Sequence, residues 1–288
     1  MASINNEDNV DARGNQQGNV PDAKGQSSLP RMLESDFESD RYNMSHSKRG
    51  LAVIINNVNF SSKTAMLKRA GSTVDATAMF QLLDTLKFKE IQQYDNLTVR
   101  QMKDALHKVS KMDHTDHDCF FCVILSHGEE GNVFGTDNKV PVDELVQPFK
   151  GNECPSLAGK PKLFFIQACR NDIINYGETV SDGAEEEVDI IRRIPAEADF
   201  LIAYSVVPGL YCWRKTSEGS HQSSWFIKAV VDIISRNWQT MDLMTMMTRV
   251  IKKVAYDFES NAMEDFKQQK KQIPCITSML TKEVYFNK

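Results

Sequence analysis

Apolar residues in this chain come in short dense runs separated by longer stretches of helical period. Leu51-Ala52-Val53-Ile54-Ile55 and the runs at 119–125, 161–166, 200–205 and 276–285 read as buried strands, and 91–94 as a weaker one. Between them a 3.6-residue period recurs at 73–86, 99–112, 225–238 and 243–258. Asp143-Glu144-Leu145-Val146 carries the acidic first turn of a short helix. Strands alternating with helices of this length predict an α/β fold, with a largely parallel sheet covered by helices on both faces.

Two stretches depart from the pattern. Residues 1 to 48 are rich in Asn, Asp, Gly, Gln and Ser and poor in apolar residues, which predicts disorder until packing begins at Leu51. From Asn171 to Arg193 no period is visible, and Glu185-Glu186-Glu187-Val188-Asp189 is acidic. A structureless stretch of that length inside a packed domain is unusual and often functional. With strand signals on both sides, it reads as an exposed linker within one fold.

Composition narrows the setting. The chain has 288 residues, 41% hydrophobic and 25% charged, which suits a globular protein. A net charge of −5 implies no general affinity for nucleic acid. No apolar run approaches a membrane span, and the first 20 residues carry no signal-peptide core, so a cytoplasmic setting is expected. Six cysteines at 119, 122, 154, 169, 212 and 275 fit a reducing compartment better than a disulfide framework.

Two strand ends carry candidate chemistry. Pro161-Lys162-Leu163-Phe164-Phe165-Ile166 runs into Gln167-Ala168-Cys169-Arg170, and the 119–125 strand runs into Ser126-His127-Gly128. In parallel sheets, sites gather beyond the carboxyl ends of strands. If the two strands are neighbours, a thiol and an imidazole face each other there. Cys169 would be the nucleophile and His127 the proton donor to a leaving amine. Gly128 lets the backbone approach a substrate, so its N–H and that of Cys169 could form an oxyanion hole. Taken singly, a cysteine after a buried strand is usually a small core residue, and a histidine there a turn residue.

A rival constellation is His114, His117, Cys119 and Cys122, the two cysteines being spaced as in zinc sites. They lie in an apolar strand, however, where residues three apart point to opposite faces. No metal or other cofactor is therefore expected.

These motifs resemble those of the caspase family. A Gln-Ala-Cys-Arg stretch with a histidine about 50 residues upstream is a caspase signature, and here His127 precedes Cys169 by 42 residues. The likeness runs from Leu51 to Phe286. It takes in Ile55-Asn56-Asn57, Arg69 with Val74-Asp75-Ala76, Pro195-Ala196-Glu197-Ala198-Asp199-Phe200, Pro208-Gly209, Trp213-Arg214, Trp225-Phe226 and Lys271-Gln272-Ile273-Pro274-Cys275. The resemblance implies a six-stranded sheet with helices on both faces, dimerising through the last strand. It implies cleavage of proteins after aspartate, in apoptosis. Arg69, Gln167 and Arg214 would line the pocket for that aspartate. Tyr211 and Trp213 would shape the neighbouring apolar pocket, and Trp225 would border a more distant one.

The leading segment is too short for a folded recruitment domain, which resembles the effector class activated by an upstream initiator caspase. The implied organisation is a propeptide at 1–36, a large subunit at 37–182, a cleavable linker at 171–193 and a small subunit at 190–288. Candidate cut sites are Asp36 or Asp40 for the propeptide, and Asp182 and Asp189 in the linker. Implied partners are protein substrates with Asp at the cut, a second copy of the large and small subunit pair, the initiator, and inhibitor-of-apoptosis proteins. The alternative is a catalytically inactive caspase-like partner. An Arg- or Lys-specific relative would need an acidic pocket, and the matched positions are basic. Two departures stand out. Asn171 replaces the usual glycine, although Asn tolerates positive φ. Ten residues separate Arg214 from Trp225, a longer loop than in many effector members. Four residues before the cut, Lys215 would favour an acid, whereas a rearranged loop could favour an aliphatic residue.

Overall fold

The computed structural model describes residues 38–129, 131–168, 195–207, 214–217, 220–258 and 271–287, with backbone alone at 214–217 and 220–222. Strands β1 (Lys48–Asn56), β2 (Glu90–Asp95), β3 (His117–Leu125), β7 (Lys162–Gln167), β8 (Phe200–Tyr204) and β11 (Cys275–Ser278) form one six-stranded sheet. Its order is β11-β8-β7-β3-β1-β2, and every pairing is parallel except β8 with β11. Helices α1 (Ser72–Thr85), α2 (Val99–Ser110), α3 (Val142–Val146), α4 (Trp225–Asn237) and α5 (Leu243–Asp257) cover it. A small sheet of β4 (Gly128–Glu129), β5 (Asn132–Phe134) and β6 (Lys139–Pro141) follows His127, and a hairpin of β9 (Arg214–Ser217) and β10 (Ser220–Ser224) precedes α4.

The central strands are apolar throughout because both faces are buried. Ala52, Ile54, Phe121, Val123, Leu163 and Phe165 join the cluster built by α1, α4 and α5. Their alternate neighbours Leu51, Val53, Ile55, Phe120, Ile124, Phe164 and Ile166 join the one under α2 and α3. Cys119 falls in the first cluster and Cys122 in the second, which separates the sulfurs of the rival metal motif by the thickness of the sheet. Among the described residues no group of His, Cys, Asp and Glu has the arrangement of a metal site.

Local signals start the helices. A capping box of Thr98 and Gln101 opens α2, and the Asp242 carboxylate accepts from Thr245 N–H at 3.0 Å to open α5. These elements match the predicted ones to within a few residues. Two expectations are corrected. Packing begins before residue 48, since Tyr42 and Met44 are buried in the core. The last strand is four residues, not ten. Leu280 N–H bonds to Ser278 Oγ at 3.3 Å and the chain turns, so the apolar residues beyond, Val284 and Phe286, fill the core instead of extending the ladder. The small sheet and the hairpin went unpredicted.

The segments on either side of the proposed linker share one sheet. β7 pairs with β8 from Lys162↔Phe200 to Ile166↔Tyr204. Tyr42 and Thr281 hydroxyls both donate to Asp199 Oδ1 at 2.7 Å, joining the start of the described chain to its end. Among the described residues no helix is long and apolar enough to cross a membrane.

Candidate active site

Register decides what gathers at the top of the sheet. Asn56 lies opposite Leu125 and Leu125 opposite Gln167, so β1, β3 and β7 end level with one another. The ladder continues one step beyond them: Asn57 N–H bonds to Leu125 O at 2.8 Å and Ser126 N–H to Gln167 O at 3.1 Å. The loops carrying Arg69 and His127, and the chain entering Cys169, therefore leave the same edge from neighbouring strands. That adjacency is the condition on which the sequence reading depended. Cys169 itself lies outside the described residues, as do Tyr211, Trp213, the Arg214 side chain, Asp36, Asp182 and Asp189.

His127 is half-buried and held from two sides. Its Nε2 bonds to the Leu67 carbonyl oxygen at 2.7 Å, and the Phe60 ring lies 4.8 Å from the imidazole at 54°. A carbonyl only accepts, so Nε2 carries the proton of that bond. Gly128 opens β4 opposite Val133. Phe134 N–H donates to His127 O at 2.9 Å, which makes His127 and Phe134 a hydrogen-bonded pair. Bonded and unbonded pairs alternate in antiparallel ladders, so the Gly128 N–H points away from β5. That direction suits a donor to a substrate oxygen.

Arg69 is buried and its guanidinium is positioned. Nη1 donates to Asn57 O at 3.0 Å and to Ser72 Oγ at 2.6 Å. Ser72 Oγ donates onward to Asn56 Oδ1 at 2.7 Å, and Asn56 Nδ2 to Asp95 Oδ1 at 2.9 Å. The residue between, Gly71, has φ 82°, a left-handed turn that swings the chain from Arg69 into α1. Gln167, the last residue of β7, is buried, and its Oε1 has no hydrogen-bond partner among the described residues.

The hairpin is tied to the same helix. The Asp75 carboxylate, in the first turn of α1, accepts from Ser223 Oγ at 2.6 Å and from Ser224 N–H at 2.8 Å. Ser224 pairs with Arg214 across β10 and β9. One helix end thus holds Arg69 through Ser72 and the Arg214 backbone through Asp75. Sequence reasoning found Asp75 only as part of a motif and missed the Leu67 carbonyl altogether. Among the described residues Trp225 is 2% exposed and stacks on Phe258 at 5.5 Å.

The sheet thus brings the His127 loop, the anchored Arg69 and the strand leading towards Cys169 to one edge. A family model, Caspase domain, matches residues 49–285. Caspase-3 of Bos taurus is 40% identical over 282 residues, covering 98% of this chain and 99% of that protein, and Caspase-3 of Mesocricetus auratus matches equally. The crystal structure of Caspase-1 from Spodoptera frugiperda superposes with a TM-score of 0.76 at 40% identity, covering 87% of this chain and 96% of that one. The chain belongs to the caspase family of cysteine proteases.

Proposed function

We propose that this chain is an effector-type cysteine endopeptidase that cuts proteins after aspartate, in the cytoplasm, in apoptosis. The observation that carries this reading is the level ending of β3 and β7, which puts the His127 loop beside the strand leading to Cys169. In the proposed reaction His127 Nδ1 takes the Cys169 proton, and the thiolate attacks the main-chain carbonyl carbon of the aspartate before the cut. The electron pair moves onto the carbonyl oxygen, where the Gly128 N–H and that of Cys169 donate. Collapse breaks the C–N bond while His127 returns its proton to the leaving amine, leaving a thioester. Water then hydrolyses the thioester, giving a proton to His127 that ends on the sulfur. The Leu67 carbonyl keeps Nδ1 on the reacting side throughout.

Arg69, Gln167 and Arg214 receive the aspartate carboxylate, guanidinium forks giving it direction as well as charge. Tyr211 and Trp213 line the neighbouring apolar pocket. The chain is made as a zymogen that an upstream initiator cuts in the 171–193 linker. β7 and β8 remain paired after such a cut, so the pieces stay one body while new ends rearrange around the site. β11 is the sheet edge in a single chain, and two-fold pairing of that edge makes the active homodimer. Inhibitor-of-apoptosis proteins are regulators under the same reading.

A scan of the cleaved protein against a tetrapeptide library, beside Cys169→Ala, tests it. Release after aspartate by the wild type alone supports the reading. A wild type as silent as Cys169→Ala makes the chain an inactive partner.

A further inference from the structure

Ala168, the residue before Cys169, is held by a side chain that the catalytic reading leaves unused. The ladder stops just short of Ala168. Ser205 N–H bonds to Ile166 O at 2.9 Å on one side of β7, and Ser126 N–H to Gln167 O at 3.1 Å on the other. Beyond that point Ser205 continues with its side chain. Its hydroxyl donates to Ala168 O at 2.9 Å and accepts from Ala168 N–H at 3.3 Å, both at once because a hydroxyl is donor and acceptor. Ser205 is 0% exposed and is fixed in turn. Its carbonyl oxygen accepts from Gln272 Nε2 at 2.6 Å, and Gln272 is buried in the segment leading into β11.

A buried serine that satisfies a backbone group is ordinary, so the bonds alone decide nothing. Their target does more. A trans peptide unit is planar, with its N–H opposed to its C=O. Holding the Ala168 carbonyl therefore sets the direction of the N–H across the same peptide unit, which belongs to Cys169. In the reaction above that N–H is one of the two donors to the substrate's carbonyl oxygen. Such donors work by being aimed before the charge develops. Ala168 precedes the 171–193 segment and Ser205 follows it, so the two meet through the pairing of β7 with β8 and not through neighbouring sequence.

We propose that Ser205 is a positioning residue, whose hydroxyl holds the Ala168 carbonyl so that the Cys169 N–H faces the substrate oxygen. This rests on the protease reading above and adds to it a side chain that never touches the substrate.

The test measures the cleaved enzyme on one aspartate tetrapeptide substrate. Ser205→Ala keeps the main-chain bonds to Ile166 and Gln272, so the sheet keeps its register. Its kcat should fall about 10- to 50-fold, less than the roughly 10²–10³ for deleting an oxyanion donor outright. KM should change less than about 3-fold, since the aspartate pocket is untouched and the loss falls on the transition state. The rate of inactivation by iodoacetamide should stay at the wild-type value, because displacement of iodide by the thiolate develops no oxyanion. Ser205→Thr keeps the hydroxyl and should recover most of kcat, whereas Ser205→Val, its match in shape, should not. A wild-type kcat in Ser205→Ala overturns the proposal, as does a loss confined to KM or a parallel fall in iodoacetamide inactivation. Equal rates in the Thr and Val variants assign the effect to packing and overturn it too. So does a set in which only the hydroxyl-bearing chains fold, which makes Ser205 a requirement of the core. A wild type that cleaves no aspartate peptide overturns the protease reading itself, and this inference with it.

Discussion

Removing the Asp75 carboxylate should weaken substrate binding at a distance from the reacting atoms. Asp75 is 0% exposed, and two of its bonds run to Ser223 Oγ and Ser224 N–H in the hairpin. Ser224 faces Arg214 in the ladder, so those bonds fix the backbone that presents the Arg214 side chain. A hydrogen bond to a charged group contributes about 1.5–3 kcal/mol. With water partly replacing the lost acceptor, Asp75→Ala should cost about 2–4 kcal/mol at that end of the hairpin. If the core stays folded, most of the loss falls on binding, and each 1.4 kcal/mol is about tenfold. KM for an aspartate tetrapeptide should therefore rise about 30-fold or more, with kcat changed far less, because His127 is held independently by Leu67. Asp75→Asn keeps one acceptor oxygen and should recover much of the loss. Steady-state kinetics well below the midpoint of each variant's thermal unfolding would measure this. A wild-type KM in Asp75→Ala, or a fall in kcat at constant KM, would refute the positioning argument.

Three further outcomes are expected. Asp182→Ala combined with Asp189→Ala should leave the chain uncut and much less active; full activity of an uncut chain would contradict activation through the linker. The cleaved protein should weigh as a dimer by light scattering at micromolar concentration, and a monomer would remove the role given to β11. Stability should fall in acid through the buried His114 and His117, which meet Nδ1 to Nδ1 at 3.0 Å while His114 Nε2 bonds to Val109 O at 2.9 Å. Both are held below the ordinary value of 6.5, chiefly by burial. Their stabilising share is present above that pH and is lost as pH falls below it, because the unfolded chain binds protons the folded one resists. Denaturation midpoints of His114→Gln/His117→Gln should decline less between pH 7 and 5, about two units spanning the unfolded value; an identical decline would exclude the pair.

The central strands were legible because burial on both faces makes them continuous apolar runs, and the helices because period and caps agree. His127 was legible as a residue type at a strand end, and Arg69 only through the motifs shared with the caspase family. The Leu67 contribution was not, since a backbone carbonyl has no residue signature and a leucine at that position advertises only hydrophobicity. Asp75 and Ser223 lie 148 residues apart in sequence and meet only through the fold. Tyr42 and Met44 sit in a polar stretch whose average hides two core residues. Strands of two or three residues, such as β4, β5 and β6, are too short to display a period. Val284 and Phe286 lengthened the apparent last strand because apolar content cannot distinguish a ladder from a turn that fills the core.

The most direct test of the account compares aspartate with its uncharged isostere before the cut. In the proposed pocket an asparagine leaves buried guanidinium groups without their anion, a loss of several kcal/mol. Sites built on such polar contacts discriminate by about 10⁴-fold. The ratio of kcat/KM for matched Asp and Asn peptides should approach that figure in the wild type and collapse in Arg69→Ala and Arg214→Ala, with Cys169→Ala inactive on both. Comparable cleavage after asparagine, or wild-type turnover of the Asp peptide by Arg214→Ala, would contradict it.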